Sequence, residues 1–239
     1  MEFWSAEQLR KDFDVLASFY QIVIGGEVFK CRNHALIIRK GYADQKQPDA
    51  LVMMANPGSC SPKDQNYQPP IIQDNFGNIP YVVVEDDPTQ RQLMRLMKMR
   101  NWNVISIINL SDICSGNMAD FSEKLSFANK HSYKNHSIFS EDRENERKAL
   151  LQGTHSKLIL AWGKHVSIKK LACDALEKIP KDHQIFISRF KNPKWSFRHP
   201  NPMVKKRCIE WLEDMNKQLD HLDYQSGIAA TIEKTCTDN

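Results

Sequence analysis

A histidine on a proline-rich turn is the residue whose type and setting first suggest chemistry. The stretch 197–203 reads FRHPNPM, so His199 is followed by two prolines. Each proline fixes its own φ near −65°, and the turn is therefore expected to be stiff. Pro202 suits the first position of a helix, with Asn201 as its N-cap. The free backbone N–H groups of such a helix start would favour an anion close to the histidine.

Basic side chains surround this histidine. Eight Lys, Arg or His residues occur between Arg189 and Arg207, with Phe190, Trp195 and Phe197 among them. Basic side chains attract phosphates, and interleaved aromatic rings can stack on bases. We therefore predict a nucleic-acid-binding surface here, formed by Lys191, Lys194, Arg198, Lys205, Lys206 and Arg207. The alternative interpretation is a solvated run of charge beside an ordinary turn.

Four apolar runs are the elements that must position these residues. They span residues 51–55, 104–108, 157–162 and 184–189, and continuous apolar runs of this length favour strands buried on both faces. Helical patterns separate them, with the clearest start at Asp87-Pro88. Strands that alternate with helices predict an α/β fold, here three-layer α/β/α with a central four-stranded, mostly parallel sheet.

Polar residues follow these strands at the point where each one ends. Asn56, Asn109 and Gly163 each follow an apolar run, and His199 lies beyond the fourth. Because ligands of parallel sheets bind beyond the carboxyl ends of the strands, we expect these residues to line one pocket. The segment 57–80 shows no periodicity and is long for a loop in a compact domain, which favours a functional loop or a disordered one.

The domain organisation expected is one α/β domain over residues 1–239. Residues 1–40 would form a helix and a small β layer, residues 41–222 the core, and residues 223–239 a polar tail. A capping box at Ser5 predicts that the first helix runs to about Tyr20. Polar residues fill the stretch 111–135, and the last helix is expected over 202–222.

Composition disfavours membrane, secreted and disulfide-bonded proteins. The chain is 41% hydrophobic and 26% charged, with a net charge of +4, which is typical of a soluble and mildly basic protein. No apolar run is long enough to span a membrane, residues 1–14 lack the apolar core of a signal peptide, and the six cysteines show no disulfide-like spacing. We therefore expect a cytoplasmic protein with free cysteines and no membrane contact.

Common cofactor motifs are missing. The sequence contains no P-loop, no G-x-G-x-x-G, no G-x-S-x-G and no H-E-x-x-H. Cys31 and His34 form a C-x-x-H pair without a second pair to complete a zinc site. Asp86 and Asp87 carry charge that could bind a metal, but a helix N-cap before Pro88 explains Asp87 more simply. The sequence therefore predicts neither a cofactor nor a metal.

Four segments, in chain order, resemble motifs of the uracil-DNA glycosylase superfamily. They are NPG at 56–58, VISIIN at 104–109, ILAWGKH at 159–165 and HPNPM at 199–203. Within that superfamily the sequence resembles in particular the domain-of-unknown-function 1643 family of bacteria and phages. That likeness is carried by DDPT at 86–89, AWG at 161–163 and RHP at 198–200.

The resemblance implies roles for individual residues. His199 would donate a hydrogen bond to the departing base, and Asn56 would help to hold the attacking water. Asn109 would read the edge of a flipped base, on which Tyr67 or Phe76 would stack. Met203 would be the apolar wedge that fills the gap left in the DNA. The core motif of the fastest branch has an acidic residue where this chain has an amide at position 56, and that difference bears on turnover.

The leading hypothesis is a DNA glycosylase-like protein that acts on a uracil-type or modified base, single- or double-stranded DNA being its partner. Two alternatives stay open at this point. One is a catalytically inactive module that binds nucleic acid or a nucleotide, such as a phage or host accessory protein. The other is an enzyme that acts on free nucleosides or nucleotides, in which the basic loop holds a single phosphate.

Overall fold

Strand-forming and helix-forming segments divide the described part of the chain into fourteen main elements. The computed structural model describes residues 3–73, 76–152, 157–181 and 183–220. The helices are α1 Ala6–Asp12, α2 Pro88–Arg100, α3 Met118–Lys130, α4 Glu144–Gln152, α5 Lys169–Lys178 and α6 Lys205–Asp220. The strands are β1 Phe13–Ile24, β2 Glu27–Arg39, β3 Ala50–Met54, β4 Ser61–Pro62, β5 Tyr81–Glu85, β6 Val104–Asn109, β7 Lys157–Leu160 and β8 Gln184–Ile187.

The strands form one mixed sheet of eight, in the order β4-β5-β1-β2-β6-β3-β7-β8. The α/β class is as predicted, but the prediction of a four-stranded sheet was wrong. The four apolar runs are the neighbouring strands β6, β3, β7 and β8, which pair in parallel. The other half of the sheet is antiparallel, because β2 pairs antiparallel with β6 and leads outward to β1, β5 and β4.

The N-terminal hairpin of β1 and β2 lies where a small β layer is predicted, but it begins earlier than the sequence pattern indicates. The capping box at Ser5 forms as predicted, but α1 ends at Asp12 and not near Tyr20. From Phe13 onward the chain is extended, with Phe13, Val15, Ala17 and Phe19 buried at alternate positions. That period of two marks a strand with one face against a core. The helical interpretation of residues 13–20 was therefore wrong.

Helices cover both faces of the sheet, and each face has its own apolar core. Helices α1, α2 and α6 pack on one face, which we call the α2 face, through residues such as Leu93, Met97 and Trp211. Helices α3, α4 and α5 pack on the other, which we call the α3 face, through residues such as Phe121, Leu125 and Ala172. No helix in the described ranges is long and apolar enough to cross a membrane.

Two helix boundaries differ from the sequence interpretation. Helix α3 lies inside the stretch 111–135, where the sequence indicates only a polar segment, and it begins after the N-cap Asn117. Three of its residues, Phe121, Leu125 and Ala128, are fully buried. Helix α6 begins at Lys205, so Pro202 does not occupy its first turn and Asn201 is not its N-cap. Residues 221–239, which include the predicted tail, lie outside the described part of the chain.

Candidate functional site

Asn56 and Asn109 follow adjacent parallel strands, β3 and β6. Asn109 is the last residue of β6 and pairs with Met54, the last residue of β3. Asn56 follows two residues later and is half-buried. Its side-chain Nδ2 donates to the carbonyl oxygen of Ser115 over 2.8 Å, which fixes the orientation of the amide. The register of the sheet therefore brings both asparagines to the same edge.

The carboxamide of Asn109 is completely enclosed by protein. Its side chain is 0% exposed, and neither Oδ1 nor Nδ2 has a hydrogen-bond partner among the described residues. A buried amide without partners costs stability, so native structures rarely retain one. Because the amide has both donor and acceptor groups, it can bind a ligand edge that also has both.

His199 is a neutral hydrogen-bond donor in this setting. The half-buried ring accepts the backbone N–H of Asn201 at Nδ1, over 3.2 Å. That bond assigns the ring proton to Nε2, which becomes the donor. Burial lowers the pKa of His199 below its usual value, while the charge of Asp87 opposes the shift. The imidazole is therefore neutral at pH 7.

Asp87 connects the Asn56 turn with the histidine turn, a role that the sequence did not reveal. Its Oδ1 caps α2 by accepting the N–H groups of Thr89 and Gln90. Its Oδ2 lies 3.8 Å from the position that a Cβ on Gly58 would take. The same carboxylate is near enough to influence the pKa of His199. The adjacent Asp86 is instead held by Arg10 and Arg91 in ion pairs.

Helix α2 supports both turns with buried glutamines. Gln90 Nε2 donates to the sulfur of Cys60 over 3.4 Å, just beyond the Asn56 turn. Gln92 Nε2 donates to the carbonyl oxygen of Cys208 in α6 over 2.7 Å. The thiol of Cys208 in turn donates to the carbonyl oxygen of Pro202, next to the histidine turn. One helix therefore holds residues from both sides of the candidate site.

Arg32 is another buried residue whose side chain has no hydrogen-bond partner among the described residues. Sequence reasoning did not identify it. Its side chain is 1% exposed, and Nε, Nη1 and Nη2 all lack hydrogen-bond partners among the described residues. Its charge lowers the pKa of Cys114, although burial raises that pKa to about 12 overall. The thiol of Cys60 also influences Cys114, so Arg32 lies close to the loop that follows β3.

The two candidate stacking residues lie on opposite faces of the sheet. Tyr67 is half-buried against the core of the α2 face, and burial raises the pKa of its hydroxyl. Phe76 belongs to the core of the α3 face. Its ring meets the edge of Tyr20 with centroids 5.4 Å apart, and the Arg143 guanidinium lies 4.4 Å from its centroid. Tyr67 therefore shares a face with Asn109, and Phe76 does not.

The predicted nucleic-acid-binding residues are all exposed. Met203 is 105% exposed, and the six basic side chains are exposed as well: Lys191, Lys194, Arg198, Lys205, Lys206 and Arg207. Two of the three aromatic rings expected to stack on bases are instead core residues. Trp195 and Phe197 are buried, and Phe197 packs on Trp162 with centroids 4.9 Å apart. Phe190 stays half-buried, with Lys164 and Arg198 over its ring.

A buried polar network on the α3 face was not foreseen either. Asp112 accepts hydrogen bonds from Tyr20 and Arg143, over 2.7 and 2.5 Å. Burial raises the pKa of Asp112 to about 6, although the charge of Arg143 opposes the shift. Arg143 also donates to Glu146, which in turn accepts from Asn33. Because its charged members have partners, most of this network is explained by stability alone.

The C-x-x-H pair is not a zinc site in this fold. Both ring nitrogens of His34 are engaged, Nδ1 with the hydroxyl of Tyr81 and Nε2 with the hydroxyl of Ser106 at 2.6 Å. No group of three His, Cys, Asp or Glu side chains in the described ranges could hold a metal ion. Cys31, Cys60, Cys114 and Cys208 carry free thiols.

Comparison with known proteins identifies one family. Residues 82–201 match the family described as "Protein of unknown function (DUF1643)". The matched segment begins in β5 and ends in the histidine turn, so it includes Asp87, Asn109 and His199. No curated protein and no solved structure matches the chain.

Proposed function

This chain belongs to the DUF1643 family of proteins of unknown function, and we propose that it is a DNA glycosylase-like protein. It would hydrolyse the N-glycosidic bond of a uracil-type or modified base flipped out of DNA. The observation that carries this proposal is the enclosed, unpartnered carboxamide of Asn109 at the end of β6. A pyrimidine edge presents adjacent donor and acceptor groups, which is the complement that this amide lacks.

The expected chemistry assigns a donor to the departing base. When the bond from the sugar C1′ to the base breaks, its electron pair moves onto the base, and negative charge develops on the base oxygens. A hydrogen bond from His199 Nε2 would stabilise that charge as it forms. A neutral imidazole is suited to this task, and burial keeps His199 neutral at pH 7. Asn109 would hold the base in the orientation required for cleavage.

The attacking water needs a group that accepts its proton, and Asp87 is a candidate for this role that the sequence did not reveal. Asn56 cannot act as a general base, because its side chain is a neutral amide already bonded to Ser115. The carboxylate of Asp87 lies beside the same turn, near Gly58, and its Oδ2 takes no part in capping α2. Asp87 would accept a proton from the water as its oxygen bonds to C1′, while Asn56 orients that water.

The exposed basic residues would hold the DNA strand. Phosphate contacts position a protein on nucleic acid without reading its sequence. Met203, fully exposed between the histidine turn and α6, would occupy the gap left by the flipped base. Tyr67 would be the stacking residue, since it shares a face with Asn109.

A gel assay with labelled oligonucleotides tests the proposal. Single- and double-stranded oligonucleotides with one uracil are incubated with the protein, and alkali then cleaves any abasic site. Strand cleavage that depends on both the uracil and Asn109 supports the proposal. Salt-sensitive binding without abasic product would instead identify a non-catalytic binding module. If neither is seen across uracil and other modified bases, DNA is not the substrate.

A second candidate function is favoured by Arg32. A fully buried positive charge next to a base-binding site suits a small ligand with its own negative charge, such as a free nucleotide. Release of a base from a nucleoside or nucleotide, followed by chromatography of the products, distinguishes this function from action on DNA.

A further inference from the structure

Arg32 lies on the same face of the sheet as Asn109. In β1 and β2 the register passes from the pair Ser18–His34 to the pair Phe19–Arg32, so Asn33 is the extra residue of a β-bulge. Residues opposite each other in a sheet share a face. Phe19 belongs to the core of the α2 face, and its partner Arg32 therefore points to that face.

Asn109 reaches this face by the same argument. Ile107 in β6 pairs with Ala35 in β2, and both residues belong to the core of the α2 face. Side chains two positions apart on a strand point the same way, so Asn109 follows Ile107 on that face. Arg32 lies beyond Ala35 on β2, next to the end of β6, and its backbone N–H donates to the carbonyl oxygen of Asp112. The two unpartnered side chains therefore lie on neighbouring strands, Arg32 within β2 and Asn109 at the end of β6.

Other buried arginines of the chain show how unusual Arg32 is. Arg143, also 1% exposed at its side chain, pairs with the carboxylates of Asp112 and Glu146. Arg95 donates twice to the carbonyl oxygen of Trp4 and once to Gln92. The Arg32 guanidinium is equally enclosed, yet it has no carboxylate, carbonyl or hydroxyl partner among the described residues. A buried charge is retained in a fold when something neutralises it, and no group in the described part of the chain does so here.

We propose that Arg32 and Asn109 form a buried subsite for a ligand that carries its own oxyanion, a phosphate or a carboxylate. The planar guanidinium would bind two oxygens of that anion side by side, and the Asn109 amide would bind the adjoining donor and acceptor edge. The inference rests on the proposed function only in that Asn109 orients a base. It narrows the substrate class to an anionic nucleotide or a base that bears a carboxylate.

Binding by the full chain of four small probes tests this inference. Uridine 5′-monophosphate carries the anion as a phosphate, and uracil-6-carboxylate carries it on the base; uridine and uracil are their neutral counterparts. Isothermal titration should show the anionic member of at least one pair binding about tenfold or more tightly than its neutral counterpart. A preference for the monophosphate identifies a nucleotide ligand, and a preference for the carboxylate identifies an acidic base. Equal binding within both pairs overturns the inference.

Variants of Arg32 separate a ligand-binding role from a structural one. Arg32→Met removes an unpaired buried charge, so the Tm of the ligand-free protein should be unchanged or higher, while the preference for anions disappears. Arg32→Lys keeps the positive charge but loses the planar guanidinium that binds two oxygens side by side. This variant should therefore bind the preferred anion several-fold more weakly than the wild type. Arg143→Met is the matched control, because it breaks a buried ion pair and should lower the Tm. A Tm that falls in Arg32→Met as it does in Arg143→Met overturns the inference.

The outcome is distinguishable from failure of the proposed function. Base release from uracil-containing DNA together with equal binding of anionic and neutral probes would support the glycosylase proposal and overturn the oxyanion subsite. Anion preference that depends on Arg32, without base release from DNA, would support the subsite and contradict the glycosylase proposal.

Discussion

Asn109 is the residue for which stability and function make opposite demands. A buried amide with both groups unpartnered costs about 1–3 kcal/mol, and the fold retains it at 0% exposure. Asn109→Leu should therefore leave the free energy of unfolding unchanged or raise it, and should abolish base release or ligand binding. Urea denaturation and the oligonucleotide assay measure the two effects.

Asn33 provides the control for this prediction. It is also a buried asparagine, but its amide bonds to Ser18, to the carbonyl oxygen of Phe76 and to Glu146. Asn33→Leu should lower the free energy of unfolding, because it leaves those partners unsatisfied. If Asn109→Leu destabilises the protein as much as Asn33→Leu does, Asn109 has a structural role that the hydrogen-bond geometry does not reveal.

His199→Ala should separate binding from chemistry. Loss of one donor to a developing negative charge typically costs about a hundredfold or more in rate. Base release should fall by that amount, while DNA affinity, measured by fluorescence anisotropy, stays nearly constant. A parallel loss of affinity and rate in a folded variant would mean that His199 positions the DNA and does not act on the base.

Asp87→Asn tests the carboxylate without removing the helix cap. Asparagine caps helices about as well as aspartate, so α2 should keep its N-terminus and the Tm should change little. Base release should fall by roughly a hundredfold if Asp87 accepts the proton from water. An unchanged rate would leave Asp87 with capping as its role, as the sequence alone suggested.

At the level of single residues, the sequence predicted positions at strand ends and missed those that depend on the surroundings. Asn56 and Asn109 could be chosen because apolar runs reveal where strands stop, and His199 because it begins a proline-rich turn. Arg32 could not, because nothing in a sequence says that a charged side chain will be enclosed without a partner. Asp87 was identified as a cap, but its second oxygen faces a turn that only the fold brings close.

At the level of elements, the parallel strands were predictable because their apolar runs are continuous. Strand β1 was not, because a true capping box precedes it and hid the change from helical to extended chain at Phe13. Helix α3 was missed because only three of its thirteen residues are fully buried. Trp195 and Phe197 were assigned to a stacking surface because composition does not tell an exposed ring from a buried one.

The start of α6 carries the prediction that belongs to an element. Lys205 and Lys206 are exposed on its first turn, with the Lys205 ammonium 5.0 Å from the ring centroid of Phe3. If both contact phosphates, replacing them with alanine should reduce the slope of log K against log salt by about one to two units. Affinity should fall equally for all sequences, since phosphate contacts carry no base information.

A matched pair of lysines on the other face gives the control. Lys130 and Lys134 are exposed at and beyond the end of α3, so their replacement changes the net charge equally. That variant should keep the wild-type slope. Equal slopes for the two double variants and the wild type would show that the basic surface of α6 is only solvated charge.

At the scale of the whole molecule, both halves of the mixed sheet contribute residues to the candidate site. The parallel half supplies the strand ends that carry Asn56 and Asn109, and the antiparallel half contributes Arg32 from β2. The buried ion pair of Asp112 and Arg143 lies on the α3 face, and the unpartnered side chains of Arg32 and Asn109 lie on the α2 face. This ion pair and the two side chains left available for a ligand therefore lie on opposite faces of the sheet.

The pH dependence of stability reports on the polar groups enclosed by this sheet. Burial lowers the pKa of His34 and of His136 from 6.5 to about 4. Between pH 6.5 and about pH 4 the unfolded chain binds protons that the folded protein does not. The free energy of unfolding therefore keeps its full histidine contribution above pH 6.5 and falls as the pH decreases to about 4. Asp112, whose pKa is raised to about 6, acts in the opposite direction over part of the same window.

Replacing one of these histidines should flatten the pH curve. A shift of this size corresponds to roughly 3 kcal/mol for each group. His34→Gln keeps a side chain that can bond to Tyr81 and Ser106 but cannot be protonated. Urea denaturation at pH 7 and at pH 4 should show that the variant loses about 3 kcal/mol less than the wild type between the two. His136→Gln should show the same effect. If either variant loses as much free energy of unfolding between pH 7 and pH 4 as the wild type does, the fold does not hold that histidine neutral.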